Sequence, residues 1–174
     1  LIGGLAWLRH KRDVDDRLRC NAFVTAVCVS QDESFSKTYR AELGRLGLRH
    51  DLNADLQLFA NISQSAEPPS FSELTGGQVV SANEAQRANT LEVGMRWSRS
   101  KLELDLAVYR SEIRDELLAL NDASGLPLGT VNAGRTLHQG IELGGAFTVG
   151  DVVIRGQYLL NDFRFEDDPV YGNN

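Results

Sequence analysis

From Gly140 to Leu160 the chain reads GIELGGAFTVGDVVIRGQYLL. Ile141, Leu143, Phe147 and Val149 share one parity, and Glu142, Gly144, Ala146 and Thr148 take the other. After Gly150-Asp151 the alternation restarts. Val152, Ile154, Tyr158 and Leu160 then stand on one side, with Arg155, Gln157 and Asn161 opposite. A period of two predicts β-strands, and these run well beyond the length of about five or six residues usual in soluble sheets.

The pattern recurs. LGRLGLRHDL and DLQLFANIS meet at Asn53-Ala54, and TLEVGMRWS and KLELDLAVY meet near Arg99-Ser100. With Gly150-Asp151 these make three short breaks of hairpin-turn composition. The segments between hairpins are long and polar: His10 to about Thr38, Ser65 to Arg87, and Glu112 to Val131. Part of each is expected to extend the neighbouring strands. Strict alternation of tight and long connections has no rationale in a soluble sandwich. It is the connectivity of an outer-membrane barrel, with short periplasmic turns and long extracellular loops.

One parity of each strand carries no charge. The sets are Leu56, Leu58, Ala60 and Ile62; then Leu91, Val93, Met95 and Trp97; then Leu102, Leu104, Leu106 and Val108. The opposite parity holds Glu92, Arg96, Glu103, Asp105, Glu142 and Arg155. A basic side chain facing lipid at mid-bilayer would cost about 2–4 kcal/mol, which accounts for the clean face. The fold expected is all-β: an antiparallel up-and-down transmembrane β-barrel, incomplete, with about seven strands of a larger barrel. Trp97, beside a short turn, is expected in the periplasmic interface belt. Gly94 and Gly144 on the polar face would let another backbone approach. Two alternatives stay open: a smaller outer-membrane barrel acting as adhesin or enzyme, and a soluble β-rich binding module packing its apolar face on a core.

Composition narrows the function classes. The chain has 174 residues and a formal net charge of -6, so no nucleic-acid partner is expected. No apolar run is long enough for a membrane helix, which leaves a β-barrel open. The chain starts at Leu1, has Met95 as its sole methionine and stops in a polar stretch, so an internal piece of a longer protein is expected. A disulfide between Cys20 and Cys28 would suit an oxidising compartment, but their spacing does not establish one. No metal-ligand spacing is present, no nucleophile stands beside a base in a recognisable motif, and no cofactor is called for.

Several segments resemble TonB-dependent outer-membrane receptors: LQLFANISQSAEPPSFSEL (56–74), LELDLAVYRSEIRDELL (102–118), TVNAGRTLHQGIELG (130–144) and GQYLLNDFRFEDDPVYGNN (156–174). The likeness lies in both the motifs and their order, and covers about the last two-thirds of the chain. It implies a plugged barrel of which residues 1–174 form part of the wall, the plug domain being absent. It further implies an outer-membrane location in a Gram-negative bacterium and contact with outer-membrane lipid. Ferric siderophore or a similar iron chelate would be the cargo, and TonB would be engaged through the missing plug.

Candidate residues each carry a functional and a structural reading. His138 shares the parity of Glu142, and so either lines the substrate path or packs on the barrel wall. Arg135, Phe163 and Phe165 stand near expected loop bases, where receptors of this type use Arg and aromatic residues for substrate. Glu67-Pro68-Pro69 either shapes a vestibule or simply stops the strand ladder. Two acidic groups, Asp13, Asp15 and Asp16 and then Glu166, Asp167 and Asp168, lack the spacing of a calcium loop and read as solvated loop charge. His10 and His50 have no ligand-like neighbours, and Asn61-Ile62-Ser63 fits a glycosylation pattern inside a strand, where it would not be used.

Overall fold

A computed structural model describes residues 1–15, 34–75 and 83–167. Cys20 and Cys28, with the disulfide question, lie outside these, as do Asp16 and Asp168. Seven antiparallel strands form one sheet in sequence order: β1 (Ile2–Val14), β2 (Phe35–Asp51), β3 (Leu56–Glu67), β4 (Gln86–Arg99), β5 (Leu102–Asn121), β6 (Pro127–Val149) and β7 (Val152–Asp167). Among the described residues the sheet does not close: β1 pairs with β2 and β7 with β6 alone.

The three tight turns fall where the alternation breaks. Asn53 Oδ1 accepts the amides of Asp55 and Leu56, both at 2.9 Å. Ser100 and Gly150 each adopt a left-handed φ, 57° and 58°, as two-residue hairpin turns require. Two regions differ from expectation. The opening residues, read as polar from His10 onward, form a full strand to Val14. The segment 112–131, expected mainly as a long loop, is mostly strand and leaves 122–126 as its tip.

Asp122 organises that tip. Its Oδ1 accepts the Ser124 hydroxyl at 2.6 Å and the amides of Ser124 and Leu126 at 2.8 and 3.0 Å. The Ser124 hydroxyl, followed by the Leu126 amide, holds the carboxyl below its ordinary range. A depressed carboxyl contributes its stabilisation above its unfolded pKa and loses it as pH falls through the lowered folded value. Asp122→Ala should therefore speed proteolytic nicking at 122–126 at neutral pH. Wild type should nick at the mutant's rate only in strong acid; equal rates at neutral pH would rule out the capping role.

Cross-strand register aligns the apolar sets. Leu56 faces Trp97, Leu58 faces Met95, and Ala60 faces Val93. Trp97, Met95 and Val93 in turn face Leu104, Leu106 and Val108, which face Gly145, Leu143 and Ile141. These side chains do not form the core. Ile62, Leu91, Ile154, Tyr158 and Leu160 are all exposed. The buried residues Tyr39, Ala41 and Ile113 lie on the opposite parity. A soluble globule would show the reverse.

Along each strand the apolar face ends abruptly at a polar residue: Arg9, Glu42, Gln64, Asn89, Arg110, Gln139 and Asp162 on β1 to β7 in turn. Arg110, Gln139 and Asp162 share one row, as do Asn89 and Gln64. Between rows the boundary shifts by two residues, at β5/β4, β3/β2 and β2/β1. Three such steps amount to about 20 Å along the strands over about 29 Å of sheet width. A level membrane surface then requires strands tilted by about 35°, the tilt of outer-membrane barrels. Trp97 and Trp7 stand near the two edges of this apolar band, where indole favours the interface.

At the long-loop end two straps cross the polar face. Ser70 and Glu73 form a reciprocal capping box: Ser70 N donates to Glu73 Oε2 at 2.6 Å and Glu73 N to Ser70 Oγ at 3.3 Å. It opens a one-turn helix, α1 (Phe71–Thr75). Arg12 of β1 donates to the Pro69 carbonyl at 3.0 Å and lies 5.1 Å over the Phe71 ring. Leu74 is buried, and α1 touches β6. Strands β1 and β6 are about 24 Å apart along the sheet, so a single helical turn can reach both only across a concave face. Residues 83–85 make the second strap. Asn83 accepts from Tyr39 of β2 at 2.9 Å and donates to the Thr130 carbonyl of β6 at 2.8 Å. The polar face is therefore the inner one, and residues 69–75 and 83–85 cross it at the long-loop end.

Candidate substrate-facing cluster in the lumen

His138 and Phe163 are register partners on β6 and β7 and point into the lumen. Their rings stack, centroids 4.2 Å apart and planes inclined by 24°. His138 Nε2 lies 3.3 Å from Glu116 Oε2, and the Thr136 hydroxyl donates to the same oxygen. Both partners are mostly buried, with side-chain exposures of 24% and 18%. Phe165 pairs with Thr136 one step nearer the mouth.

Glu116 reaches this cluster through a backbone irregularity. Along β5, Ile113 faces inward and Arg114 outward, so strict alternation would turn Glu116 outward. Asp115 adopts φ 56°, a left-handed conformation tolerated by Asp better than by most residues. The alternation resets there, and Glu116 joins Thr136 and His138 inside. Nothing in the spacing signals this change, and residue 116 falls in a segment read mainly as loop.

Of the four candidate residues, the structure brings His138 and Phe163 into contact and sets Phe165 beside them. It does not bring Arg135 there. Arg135 adjoins inward-facing Thr136 and so points the other way, pairing with Glu166 at 3.1 Å.

Below the cluster the lumen wall is lined by paired polar and aromatic groups. Tyr109 donates to Asn161 Oδ1 at 2.7 Å, its ring lying over Gly140. Arg96 pairs with Asp105 at 3.4 Å and sits 5.2 Å over the Phe59 ring. The room at Gly94 is taken by the ring of Phe59, the residue directly opposite in register, and by the backbone carbonyl of Leu106. Gly144 is open, since an added Cβ would meet only Asp105 Cβ at 3.7 Å. Among the described residues no group of three or more His, Cys, Asp or Glu could hold a metal ion. The arrangement offers aromatic faces, hydrogen bonds and charge to a solute, which is recognition chemistry.

No curated protein matches the chain. Solved structures do. The copper transporter OprC superposes with a TM-score of 0.78 at 16% identity, over 94% of this chain and 26% of that one. The ferric-catecholate import receptor Fiu from E. coli K12 gives 0.65 at 18%, over 95% and 26%. The siderophore receptor PiuA from Acinetobacter baumannii gives 0.67 at 18%, over 95% and 23%. The chain thus spans about a quarter of the length of these proteins. A family-wide profile described as "TonB dependent receptor-like, beta-barrel" matches residues 1–174, and the chain therefore belongs to the β-barrel family of TonB-dependent receptors of the outer membrane.

Proposed function

We propose that residues 1–174 are part of the wall of a longer, plugged importer that takes up a ferric siderophore or similar chelate, with the plug and its TonB contact outside this segment. The observation that carries the reading is the His138–Phe163 stack with Glu116 beside it, on the inner face at the outer edge of the apolar band. Stacked rings offer a flat edge and face to an aromatic chelator. Glu116 and Thr136 orient the imidazole so that its other nitrogen can meet a solute. Two structural neighbours, a ferric-catecholate import receptor and a siderophore receptor, support cargo of the same kind. Phe165 extends the aromatic surface toward the mouth, and Arg135, facing the other side of the wall, takes no part in it. No catalytic step is assigned: the segment's part is passage and selection.

The test is uptake of radiolabelled ferric chelates by cells carrying the full-length receptor. Losing both rings in His138→Ala/Phe163→Ala should raise half-saturation for an aromatic chelate by roughly tenfold, the scale of one or two aromatic contacts. Maximal uptake should change little. Arg135→Ala, on the other side of the wall, should leave half-saturation unchanged. Wild-type half-saturation in the double variant, at equal surface abundance, would refute the assignment.

A further inference from the structure

Glu116 belongs to the inner cluster only because Asp115 is left-handed, and that break interrupts the ladder on both sides of β5. The β4–β5 register runs no further than the row of Arg87 and Arg114. The β5–β6 register passes from Arg114 and Arg135 to Glu116 and Ala133 without pairing Asp115. A backbone polar group shielded from water is costly to leave unpaired. Two side chains take up the groups that the ladder releases. The Asp115 carbonyl accepts from Asn132 Nδ2 at 2.7 Å, and the Leu117 amide donates to Gln86 Oε1 at 3.2 Å.

Neither amide is free to turn over. Asn132 Oδ1 accepts from the Glu84 amide at 2.8 Å, and its Nδ2 donates also to the Glu84 carbonyl at 3.1 Å. An N–H can only donate and a carbonyl can only accept, so one orientation of the Asn132 amide satisfies all three bonds. Gln86 Nε2 donates to Glu67 Oε2 at 3.3 Å, which leaves Oε1 for Leu117. The three Asn132 bonds go to backbone and none to His138, Phe163 or Thr136. The residue therefore acts on the shape of β5 and, through it, on what β5 presents to the lumen.

We infer that Asn132 is a positioning residue for cargo, with Gln86 in support: it holds Asp115 left-handed, keeps Glu116 on the inner face beside His138, and so sets the affinity of the cluster without touching the solute. The inference rests on the proposed cargo role of that cluster. A Glu116 turned outward would leave the imidazole without the partner that orients its ring against Phe163. The place calls for asparagine. Aspartate would keep the acceptor for Glu84 and lose the donor to Asp115, and alanine would lose both. Glycine at 115 would remove the need, because it reaches a left-handed φ without help.

The experiment uses the full-length receptor and two readouts. The first reports position and needs no cargo. Glu116→Cys is introduced, the receptor is purified in detergent, and modification of residue 116 by a water-soluble maleimide is followed by peptide mass spectrometry. The Glu116 side chain is only 18% exposed, so labelling should be slow. Adding Asn132→Ala should speed it about tenfold, because thiol reactivity follows exposure. Adding Asp115→Gly as well should bring back the slow rate. The second readout is uptake of a radiolabelled ferric tris-catecholate at equal surface abundance. Asn132→Ala and Glu116→Ala should each raise half-saturation about fivefold, the scale of one hydrogen bond, with maximal uptake unchanged. Their combination should exceed neither single change, as expected when two residues act through one contact. Asp115→Gly should restore wild-type half-saturation to Asn132→Ala but not to Glu116→Ala. If Asn132→Ala does not reach the surface folded, Asn132→Asp takes its place with the same expectations. Unchanged labelling in the Asn132 variant, or no rescue by Asp115→Gly, would overturn the inference. Faster labelling with wild-type half-saturation in both Asn132→Ala and Glu116→Ala would uphold the positioning and overturn the cargo reading.

Discussion

Leu104→Arg in the intact receptor is expected to remove most folded barrel from the outer membrane, while Asp105→Arg leaves it in place. The two residues are adjacent, and their difference is one of face. Leu104 lies between Trp97 and Gly145 in the cross-strand row, inside the apolar band. An arginine there would stand in hydrocarbon, at about 2–4 kcal/mol, against a total stability of about 5–15 kcal/mol for an ordinary domain. Asp105 faces the lumen and pairs with Arg96 across a gap open to water, with side-chain exposures of 63% and 62%. Exchanging it for arginine loses an exposed ion pair and sets two cations opposite each other, an effect of about 1 kcal/mol or less. Heat-modifiable mobility in outer-membrane fractions measures both. Equal tolerance at the two positions would show that the apolar band does not face lipid.

The second large effect is expected at Gly94. Its added Cβ would overlap both Cζ of Phe59 and the carbonyl oxygen of Leu106. The ring can turn away, but the carbonyl belongs to the β4–β5 ladder and cannot move without disturbing it. Gly94→Ala should therefore destabilise by about 1–3 kcal/mol, the usual result of forcing atoms into filled space. Adding Phe59→Ala should not restore the loss. Gly144→Ala, with only Asp105 Cβ in reach, should be neutral. The denaturant midpoint of the refolded receptor distinguishes the cases. Matching midpoints for the two alanine variants would mean that Gly94 carries no packing constraint.

Much of this wall was legible because lipid imposes a simple rule on it. Charge is excluded from one parity over the thickness of the acyl layer, so Leu102 to Val108 and Ile141 to Val149 declare both strand and facing. The turns were legible for a local reason: Asn53 and Gly150 supply the hydrogen bond or the φ that a tight hairpin needs. Beyond the acyl layer the rule lapses. From Glu112 to Asn121 strand β5 lies beyond the acyl layer, alternation dissolves, and the segment reads as loop although its ladder continues. The capping box at Ser70 and Glu73 was a readable signal that the neighbouring prolines overshadowed. For the lumen cluster, parity placed His138 inside, but it could not supply Glu116, whose facing depends on one left-handed residue. Arg135 shows the same limit. Its position near a strand end was apparent, whereas the side it faces follows from the register of Thr136.

The hairpin of β5 and β6 continues past Arg110 for eleven more residues before it reaches Asp122. At the tilt derived from the band edge, its tip stands about 30 Å above the hydrocarbon. Among the described residues, Ser124 to Leu126 are thus what an antibody or a phage tail fibre arriving from the medium would touch first. Immune or phage pressure would act on that tip, far from the wall that must suit the bilayer and from the inner face proposed to meet cargo. The three selections fall on separate stretches of one ribbon, and each can change its residues without consulting the others.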